Sequence, residues 1–146
     1  MMKEVRSKYA ELLEKHGLSK TPPRLNILSI LTSRKVATPE SYLEKKLGDR
    51  VDRVTLYRTL KTFEEKGILH KVLDQKGTAN YAVCSEKCSE HRHYDEHMHF
   101  NCLVCNRVYC MDEIEFAPVK LPRGFKAKSI NLTITGICRQ CEGKSR

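Results

Sequence analysis

The sequence predicts an α+β fold in two parts. A helical front closed by a two-stranded ribbon spans residues 1–84, and a smaller, Cys/His-rich unit with strands spans residues 85–146. Three observations carry this. Hydrophobic spacing is helical through the first 66 residues and then breaks into short strand-like runs. Charge is uneven: residues 1–83 hold 17 basic and 10 acidic side chains, whereas residues 84–146 hold 10 and 8. The cysteines are biased the other way, because all seven lie at or after Cys84.

Composition narrows the class. The chain has 146 residues and a formal net charge of +9. It has no run of 18 apolar residues, and Met1-Met2-Lys3-Glu4 lacks the hydrophobic centre of a secretion signal, so a cytoplasmic protein without a membrane span is expected. A reducing compartment keeps thiols free, and seven is an odd count. Metal ligation therefore explains the cysteines better than a disulfide framework. The basic front points to a polyanionic partner.

The first helix follows from Val5, Tyr9, Leu12, Leu13 and His16 at helical spacing, with Gly17 as its stop. Thr21 before Pro22-Pro23 signals the start of a second, filled by Leu25, Ile27, Leu28, Ile30 and Leu31. Thr38-Pro39-Glu40 repeats that signal for a third helix through Leu43 and Leu47. A fourth runs from about Asp52 to Gly67, with Leu56, Leu60 and Phe63 as its inner stripe. Its outer face then carries Val54, Thr55, Arg58, Lys61 and Thr62, with Tyr57 on the flank. Cations there can reach phosphates or guanine, and Tyr and Val can touch thymine methyls, so this face suits a DNA major groove. Strands at Ile68–Leu73 and Ala79–Val83, joined through Lys76-Gly77, complete a winged helix.

In the back, Cys102-x2-Cys105 and Cys138-x2-Cys141 form two knuckles separated by 32 residues. A two-residue gap turns both thiolates toward one ion, and two such turns fill a tetrahedral Zn2+ shell. Expected strands at Met98–Val104 and Ile130–Ile137 lead into them. A second group comprises His91, His93, His97 and His99 with Cys84, Cys88 and Cys110. His97 and His99 alternate along a strand and project from one face. No HExxH, G-x-S-x-G, phosphate loop or deaminase H-x-E with P-C-x-x-C is present, so the chain is not read as an enzyme.

Four pieces in order and spacing resemble the ferric uptake regulator superfamily. They are Leu18-Ser-Lys-Thr-Pro-Pro-Arg24-Leu-Asn-Ile-Leu28, Arg53-Val-Thr-Leu-Tyr-Arg-Thr-Leu60, Phe63-Glu-Glu-Lys-Gly-Ile-Leu-His70 and His97-Met-His-Phe-Asn-Cys-Leu-Val-Cys105. The resemblance implies a homodimeric, metal-dependent transcriptional repressor with a winged-helix DNA-binding domain and an α/β dimerisation domain. It places DNA contacts on Arg24, Tyr57 and Arg58, beside the Thr55 and Lys61 of the helix face. It places structural zinc on Cys102, Cys105, Cys138 and Cys141.

The regulatory metal site departs from the iron-type pattern. Lys35, Ala82 and Cys110 stand where iron-type members carry a His, a Glu and a Glu. Zinc-sensing members resemble this chain in using a Cys after the wing and a residue on the strand trailing the recognition helix, here Cys84 and His70. The expected regulatory ligands are thus His70, Cys84, His97, His99 and Cys110. Met98, and the proline-rich stretch from Phe116 to Gly124 in place of a helix, imply that a further sensory site is lost. Ligand softness independently favours Zn2+ over Fe2+ or Mn2+. The expected function is a zinc-responsive repressor acting on a palindromic double-stranded operator. The alternatives are an iron-, manganese- or peroxide-responsive relative, a constitutive zinc-ribbon nucleic-acid module, or a thiol switch at Cys84, Cys88 or Cys110.

Overall fold

The computed structural model describes residues 2–34, 36–83, 98–111, 114, 117, 119–127, 130 and 132–144. The expectations placed on Lys35, Cys84, Cys88, His91, His93 and His97 lie outside the described residues. Four helices lead: α1 (Met2–Lys15), α2 (Pro22–Ser33), α3 (Glu40–Leu47) and α4 (Arg53–Glu65).

Helices α1 and α4 end by the same device. Gly17 adopts φ +69° and Gly67 φ +76°, a region in which a Cβ is penalised. The Gly17 N–H then donates to Glu14 and that of Leu18 to Leu13, at 3.0 and 2.9 Å. In α4 the Gly67 N–H donates to Glu64 and that of Ile68 to Phe63, at 3.1 and 2.9 Å. Each closure folds an apolar residue back onto the helix it leaves. Leu13, Phe63 and Ile68 all enter one core with Ile27, Leu28, Leu43, Leu56 and Leu60.

Two start signals work differently from expectation. Thr21 precedes α2 in an extended conformation, but its hydroxyl makes no capping bond. Thr38-Pro39 does not cap α3; it forms a two-residue strand, β1, with Thr38 opposite Tyr81 and Pro39 opposite Asn80. The proline biases Thr38 toward an extended backbone, and an edge strand tolerates its missing N–H. Asp52 behaves as expected, and its carboxylate accepts the Thr55 N–H at 2.9 Å at the start of α4.

The ribbon consists of β2 (Leu69–Leu73) and β3 (Ala79–Val83), giving a sheet of order β1-β3-β2. Ile68 stays outside β2 because it closes α4. In the ribbon turn Asp74 accepts the N–H groups of Lys76 and Thr78, both at 2.9 Å.

The second sheet has order β5-β4-β6, from β4 (Met98–Cys102), β5 (Val108–Met111) and β6 (Leu132–Gly136). Strand β5, unexpected from the sequence, runs antiparallel to β4 and sets Cys110 opposite His99. Strand β6 runs parallel to β4 and is shorter than Ile130–Ile137, because the chain turns into the second knuckle after Gly136. The described residues between 114 and 127 contain no helix, in keeping with Pro122 among them. Among the described residues no helix is long and apolar enough to cross a membrane.

The two sheets meet. The Ala37 N–H donates to the Val108 carbonyl at 2.7 Å. Ala37, Val72 and Val108 form a small buried cluster against which Ala82 packs. Because side chains alternate along strands, His70 shares the face of Val72, and Cys110 shares the face of Val108.

Candidate metal centres and nucleic-acid interface

The four knuckle cysteines converge. The sulfurs of Cys102, Cys105, Cys138 and Cys141 all lie within 4.8 Å of one another. Cys102 ends β4, and its turn is held by Asn106 N–H to Cys102 O at 3.0 Å and Cys102 N–H to Arg107 O at 3.1 Å. Asn106 takes φ 58° to complete it. The second knuckle turns through Cys141 N–H and Glu142 N–H to Cys138 O, at 3.0 and 2.9 Å. The knuckles are joined by Arg107 Nη1 donating to Gln140 Oε1 at 2.8 Å and by Cys138 N–H donating to Cys102 Sγ at 3.3 Å.

This cluster fits a tetrahedral ion. Metal–sulfur bonds of about 2.3 Å require sulfur–sulfur edges of about 3.8 Å, and Cys105 Sγ lies 3.8 Å from Cys138 Sγ. Backbone N–H groups, that of Cys105 first, hold the Cys102 thiol down at about 6. The Tyr109 hydroxyl lowers Cys138, and burial pushes Cys141 up to about 12. A cation among the sulfurs would offset the burial that keeps the Cys141 thiol protonated.

A second cluster draws its ligands from both sheets. His70 Nε2 lies 3.2 Å from His99 Nε2 and 3.7 Å from Cys110 Sγ. The three ligand atoms lie within 4.8 Å of one another. Both imidazoles are buried, and Cys110 is partly exposed. Tetrahedral bonds of about 2.0–2.1 Å to nitrogen and 2.3 Å to sulfur give edges of about 3.3 Å and 3.6 Å. The two edges from His70, at 3.2 and 3.7 Å, match them. Of the five residues expected to hold a regulatory metal, His70, His99 and Cys110 are brought together; Cys84 and His97 lie outside the described residues.

Helix α4 presents the expected outer face. Val54 and Tyr57 are 57% and 58% exposed, and Arg58 and Lys61 are exposed beside them. Thr55 is half-buried, its N–H capped by Asp52. Arg24 lies in the first turn of α2, where Nη1 donates to the Ser19 carbonyl at 3.0 Å and the Ser19 hydroxyl at 2.7 Å.

The sequence reading missed the residues around the ligands. Tyr109 beside Cys138, Arg107 on Gln140, and Val72 and Val108 at the junction of the sheets were not singled out. The one available signal was the two-residue strand period through Val108 and Cys110, visible only once that segment is taken as a strand.

A winged helix whose ribbon shares a ligand cluster with a separate sheet defines a class: DNA-binding regulators governed by a metal ion. The sequence model of the ferric uptake regulator family matches residues 15–135, and the chain belongs to that family. It is thus a metal-responsive transcription regulator and not an enzyme. It is 29% identical over 144 residues to the ferric uptake regulation protein of Neisseria meningitidis, covering 92% of this chain and 93% of that one. The Vibrio cholerae ferric uptake regulator superposes with TM-score 0.59 at 25% identity, covering 88% of this chain and 98% of that one. A zinc uptake regulator complexed with zinc and DNA superposes with TM-score 0.69 at 18% identity, covering 97% and 95%. At that identity the likeness speaks for the fold alone.

Proposed function

We propose that this chain is a zinc-responsive transcriptional repressor of the cytoplasm. Residues 1–84 form its DNA-binding domain and residues 85–146 its dimerisation and metal-binding domain. The observation that carries the reading is the His70–His99–Cys110 cluster, which spans the winged-helix sheet and the second sheet. Cys102, Cys105, Cys138 and Cys141 hold a structural Zn2+ that leaves no open coordination position. His70, His99 and Cys110 hold the regulatory ion, with Cys84 and His97 as further candidates. Two imidazoles and a thiolate suit Zn2+ better than the carboxylate-rich surroundings preferred by Fe2+ or Mn2+.

Ligands on both sides of the junction fix the angle between the sheets when the regulatory ion is bound. In a dimer this sets two α4 helices at the spacing of palindromic half-sites, where Tyr57, Arg58, Thr55 and Lys61 face the groove and Arg24 faces phosphate. Without that ion, DNA binding must order the junction itself, and affinity falls.

The test is operator binding at clamped free Zn2+, Fe2+ and Mn2+ on protein that keeps its tightly held metal. Affinity should rise steeply in the zinc series alone. His70→Ala with His99→Ala should flatten that rise while leaving the four-cysteine metal bound. A rise with Fe2+ or Mn2+ instead would assign another metal, and a flat response to all three would leave only a constitutive module.

A further inference from the structure

We infer that the two ligand clusters are energetically coupled through the β4–β5 hairpin, so that fastening the four-cysteine knuckles sets the sensing ligands. The inference rests on the proposed regulatory role of His70, His99 and Cys110. Strand β4 carries His99 and, three residues later, Cys102. The first knuckle is the very turn that joins β4 to β5, and Cys110 follows Cys105 by five residues on β5.

The placement of His99 opposite Cys110 is a matter of register. A slip of one residue between the strands would set Tyr109 or Met111 opposite His99 and turn the two ligands to opposite faces. A four-residue strand opposite a five-residue one offers few ladder bonds to resist such a slip. The turn resists it instead. Cys102 N–H to Arg107 O and Asn106 N–H to Cys102 O fix the loop. Arg107 on Gln140, Cys138 N–H on Cys102 Sγ and Leu103 N–H on Gly136 O at 2.8 Å lock it to the second knuckle. Gly136 also lies close under the Phe100 ring, where a Cβ would sit 3.2 Å from it. The same bonds that gather four sulfurs thus hold His99 against Cys110.

Coupling of this kind is reciprocal. Ligation at His70, His99 and Cys110 pins the open end of the hairpin and must in turn steady its knuckle end. The coupling also orders the loading: a chain with loose knuckles has its sensing ligands out of register.

Hydrogen exchange on the full-length chain, with its four-cysteine metal in place throughout, tests this. Co2+ is the probe; its thiolate absorption band reports ligation by cysteine, and the part of it lost in Cys110→Ser reports ligation by Cys110. On addition of Co2+, protection of the Cys102, Leu103 and Asn106 amides should rise on the order of tenfold, within the usual range for coupled sites. Cys110→Ser should weaken the band and abolish the rise. A band without a change in protection overturns the coupling and leaves the regulatory site standing. No band overturns the regulatory reading and the coupling with it.

Discussion

The two ligand clusters are built in opposite ways. The knuckle cysteines come from two local turns, each of which aims two sulfurs by its own backbone bonds. The junction cluster has no local element of its own. His70 arrives from β2, His99 from β4 and Cys110 from β5, and they meet only where the two sheets touch. A site closed by four thiolates on one small unit is suited to hold. One assembled across a junction responds to the junction, and the junction to it.

Breaking the local cluster should have the largest effect. Cys138→Ala, or exhaustive chelation, should unfold the β4–β6 sheet and remove one tightly held metal per chain. Circular dichroism and metal stoichiometry should change together. If the sheet survived with its metal gone, the contrast between the clusters would collapse.

The junction cluster should be tunable instead. Cys110→Asp exchanges a soft ligand for a hard one at the partly exposed corner of the site. Even changes beyond the ligands cost roughly 10–100-fold in metal affinity, so Zn2+ affinity should fall at least that far while Mn2+ affinity rises. Competition with a chelating indicator would show it. An unaltered zinc preference would remove Cys110 from the ligand set.

How far each cluster was legible follows from its construction. Cys102, Cys105, Cys138 and Cys141 could be read from spacing alone, because each pair is aimed by its own turn. His70, His99 and Cys110 lie 29 and 11 residues apart and share no motif; the resemblance brought them together, and spacing could not. Strand β5 escaped notice because Val-Tyr-Cys-Met is apolar throughout, so the period through Val108 and Cys110 is not marked by any polar–apolar contrast. The helices were legible from period and stop signals. Thr38 was misread, because the pairing with Tyr81 that makes it a strand depends on residues 43 positions away.

Further from either cluster, Tyr57→Ala should lower discrimination between operator and random DNA by roughly 1–3 kcal/mol, with little change in the salt slope. Equal loss on both DNAs would place Tyr57 outside base readout. The smallest effect belongs to the helix ends. Gly67→Ala forces a Cβ into a left-handed conformation at a cost of about 1–2 kcal/mol, which thermal unfolding would register as a lowered Tm.

Gly67 has a mechanical meaning as well. Between the last turn of α4 and the first residue of β2 stand only Lys66, Gly67 and Ile68, and the bonds to Phe63 and Glu64 leave them no slack. Helix and strand form a rigid crank with His70 near its axle and the proposed DNA-facing residues along its arm. A 13-residue helix is about 20 Å long at 1.5 Å per residue. A tilt of about 10° at the axle therefore sweeps the far end through about 3.4 Å, roughly one base-pair step along a duplex. Were His70 to hold the regulatory ion, a small displacement of its imidazole would be magnified along α4 into a shift of about one base-pair step on the DNA.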